Sequence, residues 1–198
     1  MKMTDENTKL TPELGSNAVN CSVIANDDPE CFLELDAFAD AQWGKDGYAM
    51  EDPQRDYFDR PKWIMVAKMG SEIVGVIYLF PRIVMFEGIE IKLVGIGEVV
   101  VHQEQRGRGI AKKMLAQAMV FLNSTDNDVA ILATEIDKLG ALYGQFGFEE
   151  MNNSYFFTDR DGAQREEDEG MIAALSSPEK VDLIQKSDKH LHIGISNI

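Results

Sequence analysis

The stretch HQEQRGRGIAKK, residues 102–113, gathers Arg106, Arg108, Lys112 and Lys113 around Gly107 and Gly109, with Glu104 as its one acid. The chain around it is strongly acidic: 34 Asp and Glu against 19 Lys and Arg give 198 residues a formal charge of −15. A basic island in such a background is suited to an anionic ligand. Its two glycines stand where an apolar strand ends and a helix begins. Unpaired backbone N–H groups and the positive end of the helix dipole both point outward there. Glycine lets a bulky anion approach the backbone closely, so a phosphate is the expected occupant. A P-loop fits poorly, because GIAKKML offers no hydroxyl after the lysine for a metal ion, and a dinucleotide fingerprint would need three glycines after the first strand of a parallel unit. For this segment alone, a glycine-softened loop with a solvated basic face remains open as the alternative.

Composition narrows the function further. With 44% hydrophobic residues the chain can build one substantial core and is short for two, so one domain is expected. Its acidity argues against nucleic-acid and anionic-membrane partners and favours cationic ones. Cys21 and Cys31 form no CxxC pair and stand near no histidine cluster, so two reduced thiols are expected and no metal. No window approaches a membrane span, and MKMTDENTKLTPELGSN has no apolar core of a signal peptide, which predicts a cytoplasmic protein.

The elements that must position the glycine stretch can be read on both sides of it. Residues 1–19 read as a flexible N-terminal segment, 20–177 as the folded domain and 178–198 as a C-terminal tail. CSVIAN suggests a first strand. DPECFLELDAFADAQW (28–43) opens with an Asp cap and a proline and places Phe32, Leu35, Phe38 and Ala39 on one helical face. KWIMVAKM (62–69) and EIVGVIYLF (72–80) predict a hairpin about Gly70-Ser71. Pro81 interrupts, IVMF resumes, and Glu87-Gly88 turns the chain into IEIKLVGIGEVVVH (89–102), extending an antiparallel meander. After the glycines, Ile110, Met114, Leu115, Ala118, Phe121 and Leu122 share a helix face. VAILAT (129–134) reads as a buried strand, parallel to the one before the helix. DKLGALYGQF (137–146) reads as a short helix and FEEMNNSYFFT (148–158) as one further strand. DRDGAQREEDEG is expected as an acidic loop and MIAALS as a late strand pairing back, with HLHIGISNI as a peripheral strand or unstructured.

Two motifs in this order carry a resemblance. VVVHQEQRGRGIAKKML supplies Arg106, Gly109 and Ala111 in an Arg/Gln-x-x-Gly-x-Gly/Ala pattern, and LYGQFGF supplies Leu142, Tyr143, Gly147 and Phe148. Together they resemble the GNAT superfamily of acyl-CoA-dependent N-acyltransferases over roughly residues 21–158. The acidic loop followed by MIAAL is also weakly similar to aminoglycoside 2'-N-acetyltransferase-type members. The resemblance implies an α/β fold with a mixed, mostly antiparallel central sheet flanked by helices, whose parallel pair splays around the cofactor. It implies acetyl-CoA as co-substrate, its pyrophosphate on Arg106, Gly107, Arg108, Gly109, Ile110, Ala111 and Lys112, and its pantetheine arm along Val99, Val100 and Val101.

Such a reaction needs a base. An alkyl amine of pKa near 10.4 is only about 0.04% neutral at pH 7, a deficit of about 4.6 kcal/mol for nucleophilic attack. Glu98, a carboxylate in an apolar strand, is the first candidate, with Glu135 and Asp137 as alternates. Many family members carry their acid one position earlier, where this chain has Gly97. A one-residue shift on a regular strand reverses the side chain's facing, and a bulge between the two could restore it. The alternative for Glu98 is a strand-edge charge paired with Lys92. Asp137 stands where the family often has a cofactor-contacting Asn. Tyr143 matches the family's general acid and is expected to donate a hydrogen bond as charge develops on sulfur; outside a motif such a Tyr is more often core. A backbone N–H near Val99–Val101 would hold the oxyanion, and no metal is required. His102 reads as a strand-end residue, and His190 with His192 as a tail feature.

Acceptor specificity is expected from the first helix and GKDGYAMEDPQRDYFDRP (44–61). Residues 21–60 carry eleven acids and three bases, which suits a small cationic amine or a plain solvated surface. The rival readings are a non-catalytic acyl-CoA-binding or sensor domain, disfavoured by Tyr143 and favoured by Gly97 and Asp137, and an acetyltransferase acting on protein amines. The late strand could also form the seam of a homodimer.

Overall fold

The computed structural model describes residues 18–45, 60–159 and 161–198. The N-terminal segment up to residue 17 and most of the expected specificity loop, 46–59, lie outside the described residues. β1 (Val19–Ala25) leads into α1 (Pro29–Lys45), which Asp28 caps by accepting from the amides of Glu30 at 2.9 Å and Cys31 at 3.4 Å. Such a cap contributes about 1 kcal/mol. β2 (Trp63–Met69), β3 (Glu72–Phe86) and β4 (Ile89–Val101) follow as the antiparallel meander, with β1 on the outer edge of β2. Glu87 and Gly88 both take positive φ, 50° and 81°, as a two-residue hairpin turn of the primed type requires.

The expected interruption at Pro81 does not occur: β3 runs through it, with Pro81 opposite Val94. The Leu79 carbonyl accepts from the Lys62 amide, so the same edge of β3 at Pro81 faces past the start of β2, and the ladder loses no bond by lacking that N–H.

α2 (Ile110–Asn123) then crosses to β5 (Val129–Ala133), which lies parallel to β4. α3 (Ile136–Gly144) follows. The segment expected as one strand over 148–158 is two: β6 (Glu149–Glu150) joins the main sheet, and β7 (Tyr155–Thr158) starts a second sheet. Between them Asn152 and Asn153 are turned aside by hydrogen bonds to Gln185 and Ser187. The expected acidic loop contains β8 (Gln164–Glu167), antiparallel to β7. Buried Asp159 closes this hairpin by accepting from Asp161 and Ala163 and pairing with Arg165 at 2.9 Å, which also holds its carboxyl below the usual range. β9 (Gly170–Ala174) inserts between β5 and β6, antiparallel to both, rather than forming a simple terminal hairpin.

Residues 178–198 hold α4 (Pro178–Lys186) and β10 (Leu191–Ile195), the latter parallel to β7. Leu191, Ile193 and Ile198 are all buried there, so this end of the chain is core rather than loose tail. The final segment is clamped by Arg82, whose guanidinium donates to the carbonyls of Ile193 at 3.2 Å, Ser196 at 2.7 Å and Asn197 at 2.8 Å.

The seven-stranded sheet, ordered β1-β2-β3-β4-β5-β9-β6, is buried on both faces. One face packs Ile64, Val66, Tyr78, Phe80, Ile91 and Leu93 against α1, α4 and β10; the other packs Met65, Ile77, Leu79, Val94 and Ile96 against α2 and α3. This is the expected mixed, mostly antiparallel sheet flanked by helices, and it places the strand-to-helix junction β4–α2 at its centre.

Candidate active site

β4 and β5 pair only from Leu93 to Gly95 against Val129 to Ile131. Beyond that point β5 stays with β9 while β4 continues six residues with no strand paired on that side among the described residues, so the two parallel strands part. His102 donates its amide to the Val74 carbonyl at 2.9 Å, which directs the backbone groups of Val101, and by alternation those of Val99, away from β3 and into the opening. A cleft of about 520 Å³ results, lined by Trp43, Val99–Val101, the glycine loop, the first turn of α2, Leu139, Leu142 and Tyr143.

A bulge at Glu98 is present. Val76 pairs with Val100 and Tyr78 with Gly97, so Ile77 faces both Glu98 and Val99. Glu98 takes φ +49°, unusual for a residue with a side chain. After it the facing is reversed: Val100 joins the α1 face, which strict alternation from Leu93 would deny it. Glu98 accordingly reaches the α1 side, where the Trp43 indole donates to its Oε2 at 2.5 Å. Lys92, the alternative partner read from the sequence, pairs instead with Asp126 at 2.5 Å. Gly97 itself is glycine for a packing reason, since a Cβ there would lie 2.8 Å from the main-chain carbon of Ile198 and 3.2 Å from Phe80 Cε2.

At the other side of the opening Tyr143 is 5% exposed and packs edge-on to Phe148. Burial pushes its phenol up to about 12, opposed by its hydrogen bond with Thr134. It is therefore neutral, and able to donate, throughout the physiological range.

At the glycine-loop end, Gly107 and Gly109 take φ +74° and +76°, and Gly109 caps α2. The first bond into the helix is Lys113 N–H to the Gly109 carbonyl at 3.0 Å, so the amides just before it are those helix geometry leaves without intrahelical partners. The four basic side chains do not converge on them. Lys112 lines the cleft. Arg106 lines it too, but its Nε donates back to the Val101 carbonyl at 3.1 Å, tying the loop to the strand. Arg108 is not among the lining residues and rests on Gln105, while Lys113 reaches the Val19 carbonyl at the start of β1. Fewer basic side chains face the cleft than the sequence suggests.

Of the alternate acids, Glu135 pairs with Lys138, and Asp137 lies in the first turn of α3. His102 accepts from the Glu104 amide and stacks on Phe38. His190 bonds Ser154 and His192 bonds Thr158 on the small sheet. Among the described residues no group of three or more His, Cys, Asp or Glu could hold a metal, and no helix is long and apolar enough to cross a membrane. Trp43 is the site residue that sequence reading missed. Its only signal was an aromatic in the last turn of an amphipathic helix, which reads equally well as core.

The cleft thus opens where two parallel strands part, with a glycine-capped helix at one end and Trp43, the partner of Glu98, in its wall. The sequence profile of the acetyltransferase (GNAT) domain matches residues 28–151, more than half the chain, and the protein belongs to that family of acyltransferases. Among solved structures, the GNAT N-acetyltransferase YhbS of Escherichia coli, in complex with CoA, is similar with a TM-score of 0.52 at 17% identity, over 93% of this chain and 92% of that one. A GNAT acetyltransferase from Brucella melitensis, in complex with acetyl-CoA, gives 0.50 at 20% identity, over 66% and 83%. A conserved protein from Enterococcus faecalis gives 0.53 at 16% identity over 68% of this chain, which spans only 33% of that longer one. At these identities the likeness is one of fold. No curated protein matches the sequence.

Proposed function

We propose that the protein is an N-acetyltransferase that passes an acetyl group from acetyl-CoA to a primary amine, by direct attack in a ternary complex. The observation that carries this reading is the parting of β4 from β5, which brings a strand edge unpaired among the described residues, a helix N-terminus and a neutral phenol into one cleft, whose wall residue Trp43 holds Glu98. Acetyl-CoA, when bound, supplies the thioester whose acyl carbon accepts the amine nitrogen.

The chain's own groups do the rest. The amides of Gly107–Lys112 and the Lys112 ammonium face the phosphates, Arg106 ties the loop to the strand through the Val101 carbonyl, and the Val99 backbone with the Val101 N–H pairs with the pantetheine arm. A backbone N–H there also faces the carbonyl oxygen as it gains charge. Glu98 takes the proton from the attacking nitrogen as the C–N bond forms, directly or through water, and offsets the scarcity of neutral amine. Tyr143 donates its phenolic hydrogen bond to the departing sulfur as the C–S bond breaks. No metal enters these steps. The acid balance of residues 21–60 supports a small cationic acceptor, which the E. coli and B. melitensis likenesses, being of fold, do not address.

The test is thiol release from acetyl-CoA with a panel of polyamines, aminoglycosides, amino acids and basic peptides, with Glu98→Gln alongside. Release that depends on one amine class and falls at least about tenfold in the variant is expected. Unchanged release by Glu98→Gln removes Glu98 from the reaction. No release with any amine, while calorimetry detects CoA binding, replaces the enzyme by a non-catalytic acyl-CoA-binding domain.

A further inference from the structure

The last turns of α1 touch the catalytic strand and the loop after it at three points. Trp43 donates Nε1–H to Glu98 and lines the cleft beside Val99 and Tyr143. Gln42, 3% exposed, accepts the Gln103 amide at 3.0 Å. Phe38, a turn earlier, stacks on His102 with ring centres 6.4 Å apart. His102 and Gln103 open the turn that leads to the glycine loop, so one helix end indexes both the carboxylate and the phosphate cradle.

Glu98 needs such a support. Its left-handed backbone conformation, at φ +49°, costs a residue with a Cβ about 1 kcal/mol or more. At a bulge the regular ladder no longer dictates where the side chain points. An indole N–H is a donor only, and with a carboxylate it forms a charge-assisted bond. It can fix one carboxylate oxygen without itself competing for the proton.

We infer that Trp43 is a positioning residue for Glu98: through its indole N–H, α1 sets where the carboxylate stands against the attacking amine. The inference rests on Glu98 acting as base. It separates two properties of one side chain, the ring that walls the cleft and the N–H that holds the acid. Trp43→Phe keeps most of the first and removes the second, whereas Trp43→His retains a ring N–H.

The experiment is a double-mutant cycle on the full chain, read with acetyl-CoA and the fastest amine of the panel. Glu98→Gln is measured first, and full turnover by that variant overturns the assignment of Glu98 itself before Trp43 is altered. With Glu98→Gln impaired, Trp43→Phe is expected to lower kcat about tenfold while the KM for acetyl-CoA moves less than about twofold. In the Glu98→Gln background the same change should cost less than about twofold, and Trp43→His should recover part of the loss. Equal losses in both backgrounds overturn the positioning role and leave Glu98 as base. A second arm keeps Trp43 and decides the matter even if Trp43→Phe does not fold. The chain has two tryptophans, so Trp63→Phe leaves Trp43 as sole reporter. Its emission should shift when Glu98→Ala removes the acceptor, and an emission indifferent to that change overturns the contact.

Discussion

Replacing Tyr143 by Phe removes one oxygen from a buried position, and two separable effects are expected, one from its burial and one from the role proposed for it in turnover. The first is on stability. The folded phenol titrates at about 12, raised chiefly by burial, whereas an unfolded tyrosine titrates near 10. A folded value above the unfolded one means that the contribution is complete below pH 10 and is lost as pH rises through 12. Integrated over the difference, the loss is on the order of 3 kcal/mol, of which about half falls between pH 9 and 11. Tyr143→Phe has no proton to lose, so urea unfolding at pH 9 and 11 should show wild type losing on the order of 1 kcal/mol more than the variant. Tyr155, also raised well above its ordinary value by burial, is present in both proteins and cancels. The second effect is on turnover: at pH 7.5 the variant should lose about 10²-fold in kcat, the scale of one lost donor at a charge-developing atom, with the acetyl-CoA KM little changed. Parallel stability losses in the two proteins would refute the burial argument, and undiminished turnover would refute the role of the hydroxyl.

Three further outcomes follow from particular contacts. Gly97→Ala places a Cβ 2.8 Å from the Ile198 main chain and should cost about 1–3 kcal/mol in urea unfolding; wild-type stability would show that the final segment yields freely. Lys112→Ala should raise the acetyl-CoA KM several-fold, whereas Arg108→Ala, whose side chain does not itself line the cleft and is held by Gln105, should change it less than about twofold; equal effects would return the basic island to the cofactor. Arg82→Met strips three carbonyls of their donor and should lower stability by about 1–3 kcal/mol and speed amide exchange across β10, while unaltered exchange there would contradict the clamp.

Local patterns carried the sequence reading where the causes were local. The Asp28-Pro29 start of α1, the Glu87-Gly88 turn and the glycine cap of α2 each rest on backbone preferences of one or two residues, and each is where the spacing put it. The parallel crossover from β4 to β5 followed from chain direction alone. The bulge was legible only as one way to restore the facing of an acid that the resemblance would place at 97 rather than 98. What could not be read depends on partners far along the chain. The split of 148–158 comes from α4 capturing Asn152 and Asn153, and the ordering of residues 191–198 from an arginine more than a hundred positions earlier. The destinations of Arg108 and Lys113 were likewise invisible, since a basic side chain beside a glycine loop reads the same whether it faces a ligand or a neighbouring carbonyl. Trp43 and Glu98 are 55 residues apart, and nothing in either segment names the other.

The measurement that bears most directly on the account is a mass balance. The purified protein is mixed with acetyl-CoA and each amine of the panel, and free thiol and acetylated amine are quantified together by mass spectrometry, along with any acetyl group left on the protein. Transfer in a ternary complex requires one acetylated amine for every thiol, and an unmodified enzyme at every time point. Thiol without acetylated amine, or acetyl accumulating on the protein before it reaches the amine, would contradict direct attack at the opening between β4 and β5.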